Sequence, residues 1–198
     1  MTLRLLIGTS NAGKAAEYRR ILAGLDLELV GVGDLADPPA EPGEDAPTYA
    51  ENAAAKARAY VGATGIATVA DDSGLEVDAL GGAPGVRSRR YFGDDVPAEQ
   101  RNRMLLALLD GVEDRGARFV CVAALALPDG TVETFSGEVR GEIPLRPSGA
   151  AGFGYDPVFV SAGDGRTMAE LSAEEKDRLS HRGLAGAKLR ARLSGEPR

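Results

Sequence analysis

The chain has 198 residues, a single cysteine and a formal charge of −7. A chain of this length buries roughly 70% of the surface it exposes when unfolded, so a core forms without disulfides. The acidic balance argues against wholesale binding to a nucleic-acid backbone, which needs a basic face, and no apolar run reaches the roughly 18 residues that a membrane span demands.

The opening run from Met1 to Gly8 is too short and ends too abruptly for a signal peptide, and reads as a buried first strand over 3–8. A helix follows over 12–23, its apolar face carrying Tyr18, Ile21, Leu22 and Leu25. Residues 27–32 read as a second strand, and 33–47, rich in Pro, Gly and acids, as a loop. Thr48 with Glu51 three residues on gives a capping-box start for a helix over 48–61. A short buried strand over 66–70 ends in Asp71-Asp72-Ser73-Gly74, where Gly74 permits a sharp turn. Next come a helix over 97–109 and two long strands, 117–127 and 131–140, joined by the hairpin signal Pro128-Asp129-Gly130. A strand over 157–160 precedes a second capping-box pattern, Ser172 with Glu175, which opens a two-piece helical stretch to about 193. The alternation of strands and helices with one long hairpin predicts an α/β fold on a mixed sheet, in one domain over 1–198 with or without two lobes. Cys121, inside Phe119-Val120-Cys121-Val122, reads as core, and a lone thiol suits the cytoplasm.

Three stretches carry chemistry. Gly8-Thr9-Ser10-Asn11-Ala12-Gly13-Lys14 lies between a strand and a helix, where amides and a lysine attract a phosphate chain. Gly8, Gly13 and Lys14 match most of a P-loop, but Ala15 stands where that motif needs a hydroxyl for Mg²⁺. An ordinary tight turn is the other reading. Asp71 and Asp72 are hard oxygen donors suited to Mg²⁺. Neighbours on an extended segment point opposite ways, so at most one faces a metal directly; a surface Asx-turn would use the same residues. Glu41, Glu44 and Asp45 either complete that site or form a solvated loop. Gly152-Phe153-Gly154-Tyr155-Asp156-Pro157 offers an aromatic face for a base, or a buried turn with core aromatics. Lys176 and the chain's one histidine, in Ser180-His181-Arg182, complete the list.

In this order the motifs resemble the inosine triphosphate pyrophosphatase family, also called Ham1-like or RdgB-like proteins. The likeness runs through Thr9-x-Asn11-x-x-Lys14, Glu51-Asn52-Ala53 with Lys56, residues 70–75, 80–86 and 88–91, Gly152 to Pro157, Glu174-Glu175-Lys176 and Ser180-His181-Arg182. It implies a two-lobed α/β fold on an elongated mixed sheet with the nucleotide in the cleft between lobes. It also implies a cytoplasmic homodimer that converts ITP, dITP, XTP or dXTP, with Mg²⁺, to monophosphate and pyrophosphate. By position, Thr9, Ser10, Asn11, Ala12, Gly13 and Lys14 should cradle the phosphates. Asp72 should be general base and metal ligand, with Glu44, or alternatively Glu41, beside it. Ser73 should contact substrate; Phe153, Gly154, Tyr155 and Asp156 should form the base pocket. Lys176, His181 and Arg182 should contact the nucleotide, the last two near a 6-oxo group. Family members often carry Gly where Ser10 stands and Ala where Arg89 stands. A P-loop ATPase or kinase and a non-catalytic nucleotide-binding module are the rival readings.

Overall fold

In the computed structural model, which describes residues 3–195, a six-stranded sheet runs in the order β2-β1-β3-β4-β5-β6. Met1 and Thr2, at the head of the expected first strand, lie outside the described residues. The chain divides into two units. The first takes residues up to 72, then 121–137, then from 182 onward; the second takes 73–120 and 138–181.

In the first unit β1 (Leu3–Ile7) pairs in parallel with β2 (Leu27–Gly31), Leu5 opposite Leu29, and with β3 (Ala67–Val77), Leu5 opposite Ala67. An apolar run with both faces covered is what a parallel strand requires. Leu5 and Ile7 turn to one side, against Tyr18 of α1 (Ala12–Ile21), Leu22 at its C-cap, and Ala185 and Leu189 of α5 (His181–Ser194). Leu6 turns to the other, with Val30 and Tyr60 of α2 (Tyr49–Thr64). The caps form as their sequences demand. Thr48 accepts from the Glu51 amide at 3.2 Å, and Gly65, in the left-handed region, closes α2 onto the Val61 carbonyl at 2.7 Å.

The second unit builds its core from Leu75 and Val77 of β3, Leu105 of α3 (Ala98–Leu108), Phe119 of β4 (Gly116–Ala126) and Ile143, just beyond β5 (Val132–Glu142). Tyr155, Phe159 and Met168 fill the rest. The turn after β4 closes through Leu127 and Thr131, as the Pro-Asp-Gly signal predicts. The capping box at Ser172 is complete in both directions and opens α4 (Ala173–Leu179); Ser180, extended, separates it from α5.

Two elements depart from the sequence reading. The strand expected to stop at 70 continues to Val77, with Asp71, Asp72, Ser73 and Gly74 inside it. Polar residues end a strand only when they must reach water; here Asp71 and Asp72 find protein partners and stay extended. The strand expected over 157–160 is a 3-10 turn, Asp156–Val158, followed by a two-residue β6 (Val160–Ser161) that pairs antiparallel with β5. Pro157 has no N–H for a ladder, which favours the turn.

Candidate functional site

In the first unit the chemistry gathers at the end of β1. The Gly8 amide donates to the Val69 carbonyl at 2.7 Å, so the turn leaves the sheet tightly bound to β3. A side chain at Gly8 would meet Thr68 and Tyr60 at 2.8 Å, which reserves the position for glycine. Thr9 is buried, and its hydroxyl accepts from the Asn11 amide at 3.2 Å; Asn11 Oδ1 in turn accepts from the Lys14 amide at 3.1 Å and caps α1. The two side chains therefore shape the turn itself. Ser10 is exposed, and its hydroxyl donates to Glu41. Ala12 and Gly13 begin α1, and Lys14 sends its ammonium back to Asp71, 3.1 Å from Oδ2.

Asp71 and Asp72 occupy opposite faces of β3, as the pleat requires. Asp71 faces Arg182, whose Nη2 lies 2.9 Å and Nε 3.2 Å from Asp71 Oδ2, while Nη1 donates to Glu17 at 2.7 Å. Arg182 is 1% exposed. Burial alone would raise the Asp71 pKa, but Arg182, then Lys14 and Lys56, hold it well below the usual carboxylate range. Cys121 Sγ approaches the same oxygen at 3.6 Å, and burial, then Asp71, push its thiol far up, so it stays protonated and inert. Arg182, expected at the nucleotide, has its guanidinium engaged by Asp71 and Glu17 inside the unit.

Asp72, 3% exposed, accepts from Asn52 Nδ2 at 2.9 Å. Burial, then the Glu44 carboxylate, raise its pKa to about 6, against smaller opposing effects of Asn52, Lys14 and Lys56. Lys56 is buried and donates to Glu44 and, at 3.2 Å, to the Asp71 carbonyl; Glu41 lies 4.0 Å away. Burial would lower its pKa, but Glu44 and then Asp71 raise it, so it stays charged. Lys56, Asn52 and Glu17 stand outside the set of site residues picked from sequence. The signal was available in their spacing: Asn52 and Lys56 are four apart on one face of α2, and Glu17 follows Lys14 by three on α1.

No group of three or more His, Cys, Asp or Glu side chains gathers as a metal cage among the described residues. Asp72 and Glu44 are close enough for one to raise the other's pKa. Two hard carboxylates, with the remaining positions left to water and phosphate oxygens, are the donor set that Mg²⁺ takes in nucleotide enzymes. The residues therefore fit that ion.

In the second unit, residues 152–156 form a turn wound on its own carboxylate. Asp156 Oδ2 accepts from the Phe153 amide at 2.7 Å and pairs with Lys176, whose Nζ also lies 4.6 Å above the Phe153 ring. Gly152 has a φ of +73°, and a Cβ there would sit 2.1 Å from Asp156 Oδ2, so only glycine closes the turn. Gly154 offers its carbonyl to Asn102 of α3 at 3.1 Å. Tyr155 points inward, its hydroxyl donating to the Ser88 carbonyl at 3.0 Å, and burial pushes its pKa up to about 12. Its ring belongs to the core of this unit. Phe153 lines a cavity of about 490 Å³ between the first two turns of α3 and residues 147–154 with Pro157. His181 is buried and stacked on Phe119, ring centroids 4.5 Å apart and planes 11° from parallel. Ser73 is half-buried on β3.

A model of the Ham1 family matches residues 5–192. A protein named dITP/XTP pyrophosphatase from Streptomyces avermitilis is 50% identical over 190 residues, covering 94% of each chain. One of the same name from Deinococcus deserti is 48% identical, covering 95% of this chain and 88% of its own. The solved structure of the Staphylococcus aureus Ham1 protein superposes with a TM-score of 0.86 at 40% identity, covering 98% of this chain and all of that one.

Proposed function

We propose that this chain, which belongs to the Ham1 family, hydrolyses dITP, ITP, XTP and dXTP to the monophosphate and pyrophosphate with Mg²⁺, and so keeps deaminated purines out of DNA and RNA. The names of relatives at about half identity over nearly the whole chain support the reaction. The single structural observation that carries it is the Asp72 carboxylate, buried and raised to about 6 beside Glu44, Lys14 and Lys56. A carboxylate of that pKa is an effective proton acceptor near neutrality.

In this reading the 9–14 turn at the start of α1, with Lys14 and Lys56, binds the triphosphate and offsets its charge. Asp72 takes a proton from a water whose oxygen attacks the α-phosphorus. The bond from that phosphorus to the bridging oxygen breaks, and pyrophosphate leaves. Asp72 and Glu44 would hold Mg²⁺, which would further neutralise phosphate charge. Asp156 and Lys176, fixed to the Phe153 turn, offer an acceptor and a donor to a purine, and Phe153 offers its ring. A buried pattern of donors and acceptors rejects a base that leaves them unpaired, which separates 6-oxo from 6-amino purines. Homodimers and a cytoplasmic setting belong to the same proposal. No described helix is long and apolar enough to cross a membrane, and light scattering on the purified protein gives the oligomeric state.

The test is an assay of purified protein with dITP, XTP, GTP and ATP, with and without Mg²⁺, separating pyrophosphate from orthophosphate. Pyrophosphate from dITP and XTP, with ATP and GTP largely spared and no turnover in EDTA, is expected. Orthophosphate from ATP would replace the reading by an ATPase.

A further inference from the structure

Asn52 occupies the first turn of α2, its amide N–H bonded to the Thr48 carbonyl at 3.1 Å, and is 1% exposed. Its side chain makes three hydrogen bonds with two different segments. Oδ1 accepts from the Ala46 amide at 2.9 Å, and Nδ2 donates to the Ala46 carbonyl at 3.3 Å. The same Nδ2 donates to Asp72 Oδ2 at 2.9 Å. Ala46 ends the segment that carries Glu41 and Glu44; Asp72 lies in β3, twenty residues along the chain from Asn52.

We propose that Asn52 is a positioning residue that sets the acidic segment and the Asp72 carboxylate in register with each other. The inference rests on the pyrophosphatase reading for its kinetic consequence, but not for its effect on cation binding.

The chemistry of the amide makes the assignment specific. Clamping both the N–H and the C=O of Ala46 needs an acceptor and a donor on one short planar group, and reaching Asp72 needs the second hydrogen of the same nitrogen. Aspartate has no donor, leucine of similar shape has neither, and glutamine has the groups but sets them one methylene further out. The rigid first turn of a sixteen-residue helix holds the amide. A shift of the acidic segment therefore strains the bond to Asp72, and rotation of the Asp72 carboxylate strains the clamp on Ala46. Asp72 sits at one end of this bracket and Ala46, two residues after Glu44, at the other. Groups that orient a metal-binding carboxylate without touching the metal usually cost about 10–100-fold in affinity or activity when removed.

The experiment compares wild type, Asn52→Leu and Asn52→Gln. Mn²⁺ binding is followed by electron paramagnetic resonance, alone and with the non-hydrolysable α,β-methylene analogue of dITP; kcat, KM and Tm are measured beside it. The leucine variant is expected to bind Mn²⁺ about 10-fold more weakly and to lose about 10–100-fold in kcat with KM for dITP little changed. Glutamine should recover part of both. A leucine variant that matches wild type in Mn²⁺ binding and kcat, and loses only Tm, would make Asn52 merely structural and overturn the proposal, as would absence of Mn²⁺ binding by the wild type in both conditions. Should the leucine variant not fold, glutamine carries the test: weaker Mn²⁺ binding at unchanged Tm supports the register role, and wild-type binding and kcat refute it. Absence of dITP turnover in the wild type would remove the pyrophosphatase reading and leave Mn²⁺ binding to judge Asn52.

Discussion

Adjacent aspartates on β3 have opposite electrostatic fates. Asp72 pays for burial next to Glu44 with a pKa raised to about 6, above the ordinary value near 4. In the folded protein it binds its proton up to about pH 6; in the unfolded chain it gives the proton up near pH 4. Its contribution to stability therefore falls as pH rises from about 4 to about 6, and the penalty, on the order of 3 kcal/mol, is complete above that. Asp72→Asn should abolish hydrolysis and, in EDTA, raise Tm at pH 8 while leaving it unchanged at pH 4; a Tm shift equal at both pH values would deny the shifted pKa. Asp71 is the reverse case, ionised and locked to Arg182, which also holds Glu17. Arg182→Ala removes the guanidinium that two buried carboxylates share, leaving Asp71 the Lys14 ammonium, and should cost about 3–5 kcal/mol in urea unfolding. An undiminished stability with an altered dITP-to-ATP preference would assign Arg182 to base recognition instead.

Among the elements, the segment over 33–47 carries both glutamates, Glu41 and Glu44, that are candidates for the proposed metal site. Past the short turn Val32–Asp34 it has no regular structure up to α2. Contacts that hold it include Glu41 to Ser10, Glu44 to Lys56 and Ala46 to Asn52. Glu44 acts on Asp72 strongly enough to raise its pKa, second only to burial, whereas Glu41 accepts from the Ser10 hydroxyl, a group expected to meet the phosphate chain. Glu41→Ala should therefore leave kcat and Mn²⁺ binding near wild type and lower KM two- to tenfold, the equivalent of one hydrogen bond of about 0.5–1.5 kcal/mol. Loss of Mn²⁺ binding in that variant would make Glu41 the ligand. Sequence reading reached the helices through their caps, Thr48 and Ser172, because a cap is a local signal carried by two residues. It stopped β3 at Ala70 because the partners that let Asp71 and Asp72 stay in a strand come from α1, α2 and α5, which no local pattern reveals. The same reason hid Arg182's partners: Ser180-His181-Arg182 carries no local sign of Asp71 and Glu17, 111 and 165 residues away along the chain.

At the scale of the whole molecule the chain order and the units do not coincide. The first unit is assembled from three stretches and the second from two, and β3, β4 and β5 each run through both. The core around Leu5, Ile7, Leu22 and Val69 is closed by Cys121, Ala123, Leu125 and Phe135 from the hairpin, and by Ala185 and Leu189 from α5. Asp71 likewise waits for Arg182. A fragment over 1–120 keeps the 9–14 turn, both aspartates, Glu44, Asn52 and Lys56, so it holds nearly all the phosphate-side chemistry. It loses every one of those late core residues. Large apolar side chains contribute about 1.5–3 kcal/mol each when buried, and net stability is only about 5–15 kcal/mol, so the fragment cannot offset the loss. It should show no cooperative urea transition, no Mn²⁺ binding and no dITP hydrolysis. A folded, Mn²⁺-binding 1–120 fragment would mean that the site is built by local segments alone. The expected failure would instead tie the phosphate side of the chemistry to the closing helix, and explain why the likeness to the family extends to residue 192 rather than ending with the motifs.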